Sequence, residues 1–158
     1  LLEDPEIVLL MDAFKRGAGF VPPGKLPELS QKDNYLTATT CSVCHVEQTE
    51  FWSKTKHAIA FASLEANNDQ WRQDCIACHV LGYGQAFIDP ADAEPYKNVQ
   101  CENCHGLNPN HPRDPVKHPW PAAQEISCLV CHNKNQTRID FVFVRERPKV
   151  ACPLMPRN

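Results

Sequence analysis

No run of about 18 apolar residues occurs in this chain of 158 residues, so no membrane-spanning helix is expected. Long aliphatic runs of the kind that build a protein-only core are few, and the mean hydropathy is −0.43 with 42% hydrophobic residues. The length suits one domain, or one plus an extension, but such a domain needs core material from another source. There is no basic excess either. The formal charge of −3 steers away from nucleic acid and toward basic partners. Leu1 to Arg16 lacks a charged leader followed by an apolar run, and Leu1 is not an initiator Met, so a removed leader or an internal piece of a longer protein is expected. Histidine is scarce, at seven residues, and none follows His132.

Cysteine is the residue the chain has in plenty, with nine. Eight of them fall in four Cys-x-x-Cys-His motifs: Cys41/Cys44/His45, Cys75/Cys78/His79, Cys101/Cys104/His105 and Cys128/Cys131/His132. Two thiols on one turn can each form a thioether to a vinyl group of the same porphyrin, and the next residue sets its imidazole under the iron. A structural zinc tetrathiolate needs paired cysteines but no histidine after each pair, and a disulfide framework explains those histidines no better. The motifs therefore imply four covalently bound haem c groups, whose propionates make the surface more acidic and whose bulk serves as the missing core. Covalent haem is attached outside the cytoplasm, which places the chain in the periplasm or outside the cell.

The motifs start 34, 26 and 27 residues apart, with nothing else shared between the intervals, so they are not a stacked repeat. Asp4-Pro5-Glu6 reads as an N-cap followed by a first-turn Pro and acid, opening a helix that runs to Gly17. Gly17 to Lys32, with Pro22, Pro23 and Pro27, reads as an extended linker. Thr49 to Glu65 has no Gly or Pro and reads as one helix with His57 near its middle. Pro-rich loops follow at Asp89–Tyr96 and Asn108–Pro121, and Ile139–Val144 alternates like a strand. The expected organisation is an N-terminal helix and linker over 1–32, a tetrahaem domain over 33–145 and a C-terminal tail over 146–158. Its fold class is mainly α with much irregular structure, a small multihaem protein wrapped around four closely packed haems.

Four irons have eight axial positions. The motif histidines fill four, and only His57, His111 and His118 remain, so one haem lacks a second histidine from this chain. Met11 or Met155 can supply a thioether, a different neighbouring chain can donate an imidazole, or the iron stays open to a small ligand.

The run Cys41-Ser-Val-Cys44-His45, Phe51-Trp52, Thr55, His57-Ala58, then Asp74-Cys75-Ile-Ala-Cys78-His79, Gly82-Tyr83-Gly84-Gln85 and Cys101-Glu102-Asn-Cys104-His105-Gly106 resembles the tetrahaem c-type cytochromes that accept electrons from hydroxylamine oxidoreductase. The resemblance covers about residues 37 to 132. It implies a helical fold around stacked haem pairs, a five-coordinate second haem, His57 paired with His105, and His111 (or else His118) paired with His45. The family's distal ligand of the fourth haem lies beyond the fourth motif, where this chain has no histidine, so either His118 takes that role and leaves His79 alone, the arrangement expected here, or the fourth haem is the open one and the second is capped. The opening helix also resembles a segment that joins a metallophosphoesterase-type domain to such cytochromes, and with the ninth cysteine, Cys152, it is a candidate joint to a larger protein or an oligomer.

Electron transfer is the function these features imply, with redox proteins as partners and no substrate of the chain's own. Two alternatives stay open: reduction of nitric oxide or hydroxylamine at a five-coordinate haem, and assembly into a conductive filament. Trp52, Trp71 and Trp120 read as packing rather than relays. Arg72, Lys97 and Arg113 are surface charges that can also pair with propionates.

Overall fold

The computed structural model of the chain describes residues 5–7, 9–10, 13, 34–88, 94–134, 136 and 140–154. Residues 5–7, 9–10 and 13 are helical, as the Asp4-Pro5-Glu6 start suggests, while Met11, Met155, the linker Gly17–Lys32 and residues 89–93 lie outside the described residues. Short helices then follow in order: α1 (Ala38–Ser42), α2 (Val46–Ser53), a 3-10 turn (Lys56–Ile59), α3 (Ala60–Glu65), α4 (Gln73–Ile76), a 3-10 turn (Glu94–Tyr96), α5 (Cys101–His105), α6 (Glu125–Leu129), α7 (Phe143–Glu146) and a 3-10 turn (Arg147–Lys149). Among the described residues the β pairing is confined to two isolated bridges, Val80 with Lys97 and Tyr83 with Phe87. The fold is mainly helical with much irregular chain.

Two sequence expectations change. Thr49–Glu65 is not one helix, because α2 ends at Ser53 and the chain restarts through a 3-10 turn. The cause is local: the hydroxyls of Ser53 and Thr55 donate to the carbonyls of Glu50 and Trp52, at 2.8 and 2.7 Å, and so compete with the helical ladder. Thr55 takes extended angles, φ −88° and ψ 162°. Nor is Ile139–Val144 a strand. Phe143 and Val144 open α7, with the N–H groups of Arg145 and Glu146 both donating to Val142 O at 3.0 Å. Described residues offer no neighbouring strand to pair with it. The boundary expected at 145/146 falls inside α7.

A small protein core does exist. Phe61 and Leu64 of α3 pack with Ile76, Val80 and Phe87, and Cys75, Tyr83 and Tyr96 lean against them. The Phe61 and Phe87 rings lie 5.6 Å apart at 51°, a tilted pair. Lys97 stretches over Phe61 at 4.9 Å and pairs with Glu65 (3.0 Å) and Glu94 (2.8 Å), which closes the rim. Gly82 makes the turn after the second motif possible. Its φ is +64°, and a Cβ there would meet the Tyr35 ring at 2.7 Å and Ala86 at 2.9 Å. Tyr35 in turn donates to Gln85 Oε1 at 2.8 Å, tying the chain ahead of the first motif to the turn behind the second.

Candidate metal centre

Each Cys-x-x-Cys-His motif ends a short helix, so its side chains leave one turn together. In motifs one and four the histidine N–H donates to the carbonyl of the first cysteine, His45 to Cys41 at 2.9 Å and His132 to Cys128 at 2.8 Å. Motif three is helical from Cys101 to His105 and is fixed by a reciprocal cap between Gln100 and Asn103. In motif two the last turn tightens, His79 N–H donating to Ile76 O at 2.8 Å. All nine cysteines are free thiols. Among the described residues no three or more Cys, His, Asp or Glu side chains converge as a small-ion site requires.

The motifs come together in pairs. The thiols of Cys41 and Cys101 lie close enough to interact, joining motif one to motif three, and those of Cys78 and Cys131 likewise join motif two to motif four. Cys104 stands close enough to Cys128 for their charges to interact, which links the two pairs. Burial pushes the Cys104 thiol up to about 11 and the Cys131 thiol up to about 12, so both stay protonated at neutral pH.

The imidazoles carry the clearest sign of metal binding. His45 faces His111 with ring centres 5.9 Å apart at 21°, and His57 faces His132 at 6.0 Å and 53°. Two metal–nitrogen bonds of about 2 Å, plus the offset of each ligating nitrogen from its ring centre, come to about 6 Å. The ring separation of each pair matches the span of one metal ion between two imidazoles. Burial, more than the neighbouring imidazoles, holds the pKa values of His45 and His57 below the ordinary range, which keeps their lone pairs available.

Three rings are also held by their second nitrogen. His79 Nδ1 lies 2.6 Å from Ala60 O, His105 Nδ1 2.8 Å from Pro121 O, and His111 Nδ1 2.8 Å from His118 O. A carbonyl can only accept, so each Nδ1 carries the proton and each Nε2 is left as the ligating atom. The residues present thus fit haem iron.

The structure places each of the seven histidines, but not always where expected. His111 meets His45 as the resemblance implies. His57 lies in a 3-10 turn, its own carbonyl accepting Val99 N–H at 3.1 Å, and its ring faces His132 rather than His105. His118 enters through its backbone: its carbonyl anchors His111, while its ring sits near Asp114 and, among the described residues, stacks on no other histidine. His79 and His105 each present one imidazole without a facing histidine.

The two rings beside the ligands include one that the sequence reading did not single out. Phe141 stacks on His132 at 5.1 Å and 19°. Trp120 packs at 4.8 Å from His111 and 6.4 Å from His105, its Nε1 donating to Gly106 O at 2.8 Å, which suits a packing role. Trp52 likewise donates to Val99 O at 2.8 Å. Arg72 is engaged by Asp69 and Asp74 and Lys97 by two glutamates, so neither charge waits for a propionate. Cys152 is exposed and feels Cys101, and Gln48 donates to Pro153 O at 3.0 Å to hold this tail.

Sequence reasoning also missed the two buried polar residues, Gln100 and Glu102, 5% and 4% exposed. Burial lifts the Glu102 carboxyl to about 7, with the N–H groups of Leu36 and Asn108 pulling the other way.

Comparison with known proteins bears on the same segment. The family model described as cytochrome c554 and c-prime matches residues 40–106. Cytochrome c-554 of Nitrosomonas europaea is 33% identical over 87 residues, covering 44% of this chain and 37% of that protein. The solved reduced state of cytochrome c554 from Nitrosomonas europaea aligns at 25% identity with a TM-score of 0.47, covering 62% of this chain and 64% of that one. The matched segment thus spans little more than a third of the curated relative's length. Through residues 40–106, which hold the first three motifs and the turn bearing His57, the chain is similar to the cytochrome c554 and c-prime family.

Proposed function

We propose that this chain is an electron carrier with four covalently attached haem c groups. The observation that carries the reading is the pair of facing imidazoles at iron-spanning separation, His45 with His111 and His57 with His132, each beside an intact attachment motif. Cys41/Cys44, Cys75/Cys78, Cys101/Cys104 and Cys128/Cys131 would hold the porphyrins, and His45, His79, His105 and His132 would bind the irons from one side. His111 and His57 would cap the first and fourth from the other. His118 serves as the anchor of His111. The haems supply one-electron chemistry when bound.

The chain's own residues do the rest. Helix ends aim the thiols, backbone carbonyls fix the histidine tautomers, and the contacts between motifs one and three, three and four, and four and two keep the four centres in one continuous series. With two imidazoles each, from His45 with His111 and from His132 with His57, the first and fourth irons would be left no position for a substrate and would serve electron exchange alone. The haem-bearing part would be residues 33–145. Attachment outside the cytoplasm and the family relationship favour the periplasm, and the acidic charge favours a basic redox partner of the hydroxylamine oxidoreductase type. Among the described residues no helix is long and apolar enough to cross a membrane. The reductase and filament readings draw no support from the comparisons.

Intact mass spectrometry of the mature protein, followed by reductive titration, tests this. Four haem masses and four one-electron equivalents are expected from the four motifs. A protein without bound haem, or one whose haems take up no electrons from a protein donor, overturns it.

A further inference from the structure

The two buried polar side chains next to motif three both reach away from it, to the helix that carries motif one. Helix α1 has only five residues, and its N-cap Thr37 offers no side-chain hydrogen bond, so its leading N–H groups need outside acceptors. Gln100 Oε1 accepts from Ala38 N at 2.6 Å and Glu102 Oε2 accepts from Leu36 N at 2.8 Å, across 62 and 66 residues of sequence.

Both acceptors are themselves fixed. Gln100 Nε2 donates to Pro95 O at 2.8 Å and Lys97 O at 2.9 Å, and its N–H is held by Asn103 Oδ1 at 2.7 Å. Asn103 Nδ2 in turn donates to Val80 O at 3.0 Å, in the protein core. Glu102 lies between the two cysteines of motif three, and its Oε1 is buried without a hydrogen-bond partner. A charged group is poorly placed there unless its bond to Leu36 matters. Beyond this clasp, the thiols of Cys41 and Cys101 meet.

The geometry points to Glu102, supported by Gln100, as a positioning residue: its carboxylate holds the chain leading into α1 at Leu36, while Gln100 takes the first-turn N–H of Ala38, and together they set the spacing of the haems held by motifs one and three. This rests on the electron-carrier reading, because the spacing has a use only when both motifs are loaded. A purely local role for Glu102 in stabilising α5 would not require its bond to lie on Leu36.

The test compares Glu102→Ala with Glu102→Gln in the mature, haem-loaded protein, using intact mass and Soret-region circular dichroism, where two haems held close at a fixed angle give a split band. Wild type and Glu102→Gln, which keeps an acceptor for Leu36 N–H, are expected to show four haems and the split. Glu102→Ala is expected to lose the split, either with four haems attached or together with the haem of motif one. A loaded Glu102→Ala with the wild-type split overturns the proposal, as does a Glu102→Gln that fails to load or loads without the split. Haem-loaded wild type with no split overturns it too, whereas wild type with no haem at all is the failure of the electron-carrier reading.

Discussion

The stretch from Phe61 to Phe87 and the stretch after Glu102 are built by different means. Around the second motif Phe61, Ile76, Val80, Leu81, Ala86 and Phe87 are all but sealed from solvent, whereas none of the described residues after Glu102 is buried. Val116, Ile126, Val130, Val144 and Leu154 all stand open there. Scattered apolar exposure is ordinary, but a whole region with helices and no buried side chain has no core of its own. The part of the chain that holds motif four, and the loop that holds His111, must therefore take their core from the haems, while the part around motif two folds on side chains already in place.

Withholding haem breaks this contrast most severely. In protein made without the attachment machinery, amide protection by hydrogen exchange is expected to survive at 61–87 and to vanish at 125–150, because burying apolar side chains can offset chain entropy only in the first stretch. Equal protection of both would show that the second has a core the described residues do not reveal. Next in size is Phe61→Ala in the loaded protein, which removes the centre of the cluster and is expected to cost about 3–5 kcal/mol, against less than about 0.5 kcal/mol for Val144→Ala, both read from denaturant midpoints.

Glu102 sits where the two regions join and sharpens the comparison through pH. Its carboxyl titrates about 4.5 in the unfolded chain and is pushed up to about 7 by burial when folded. Between those values the folded state binds more protons than the unfolded, so this group's contribution to stability falls as pH rises from about 4.5 to about 7, by roughly 2–3 kcal/mol. Glu102→Gln is expected to flatten that slope in denaturant titrations across the window. The smallest effect belongs to the rim: Lys97→Ala removes two partly exposed ion pairs and the contact over Phe61, a loss of about 1 kcal/mol that salt reduces.

What the sequence made legible follows its chemistry. The four motifs were readable because attachment needs three residue types at one fixed spacing, and the short helices carrying them followed from that. The break within Thr49–Glu65 was not, because Ser53 and Thr55 prefer their own local hydrogen bonds, a competition that apolar periodicity does not record. Ile139–Val144 alternates as a strand does, yet among the described residues no second strand is there to pair with it. Histidine counting named the candidate ligands but not which rings come together, since His57 reaches His132 by a turn whose direction depends on contacts far along the chain. The same distance hid Gln100 and Glu102. Nothing in their neighbourhood announces that their partners lie more than sixty residues earlier.

The backbone carbonyls that receive Nδ1–H from His79, His105 and His111 belong to Ala60, Pro121 and His118. Substituting any of those three side chains leaves the accepting oxygen where it is. Ligand orientation at these centres is thus insulated from point mutation and exposed instead to insertions and deletions, which shift whole loops. Relatives of this chain are free to diverge in residue identity around their haems, provided the lengths of the segments carrying those oxygens hold.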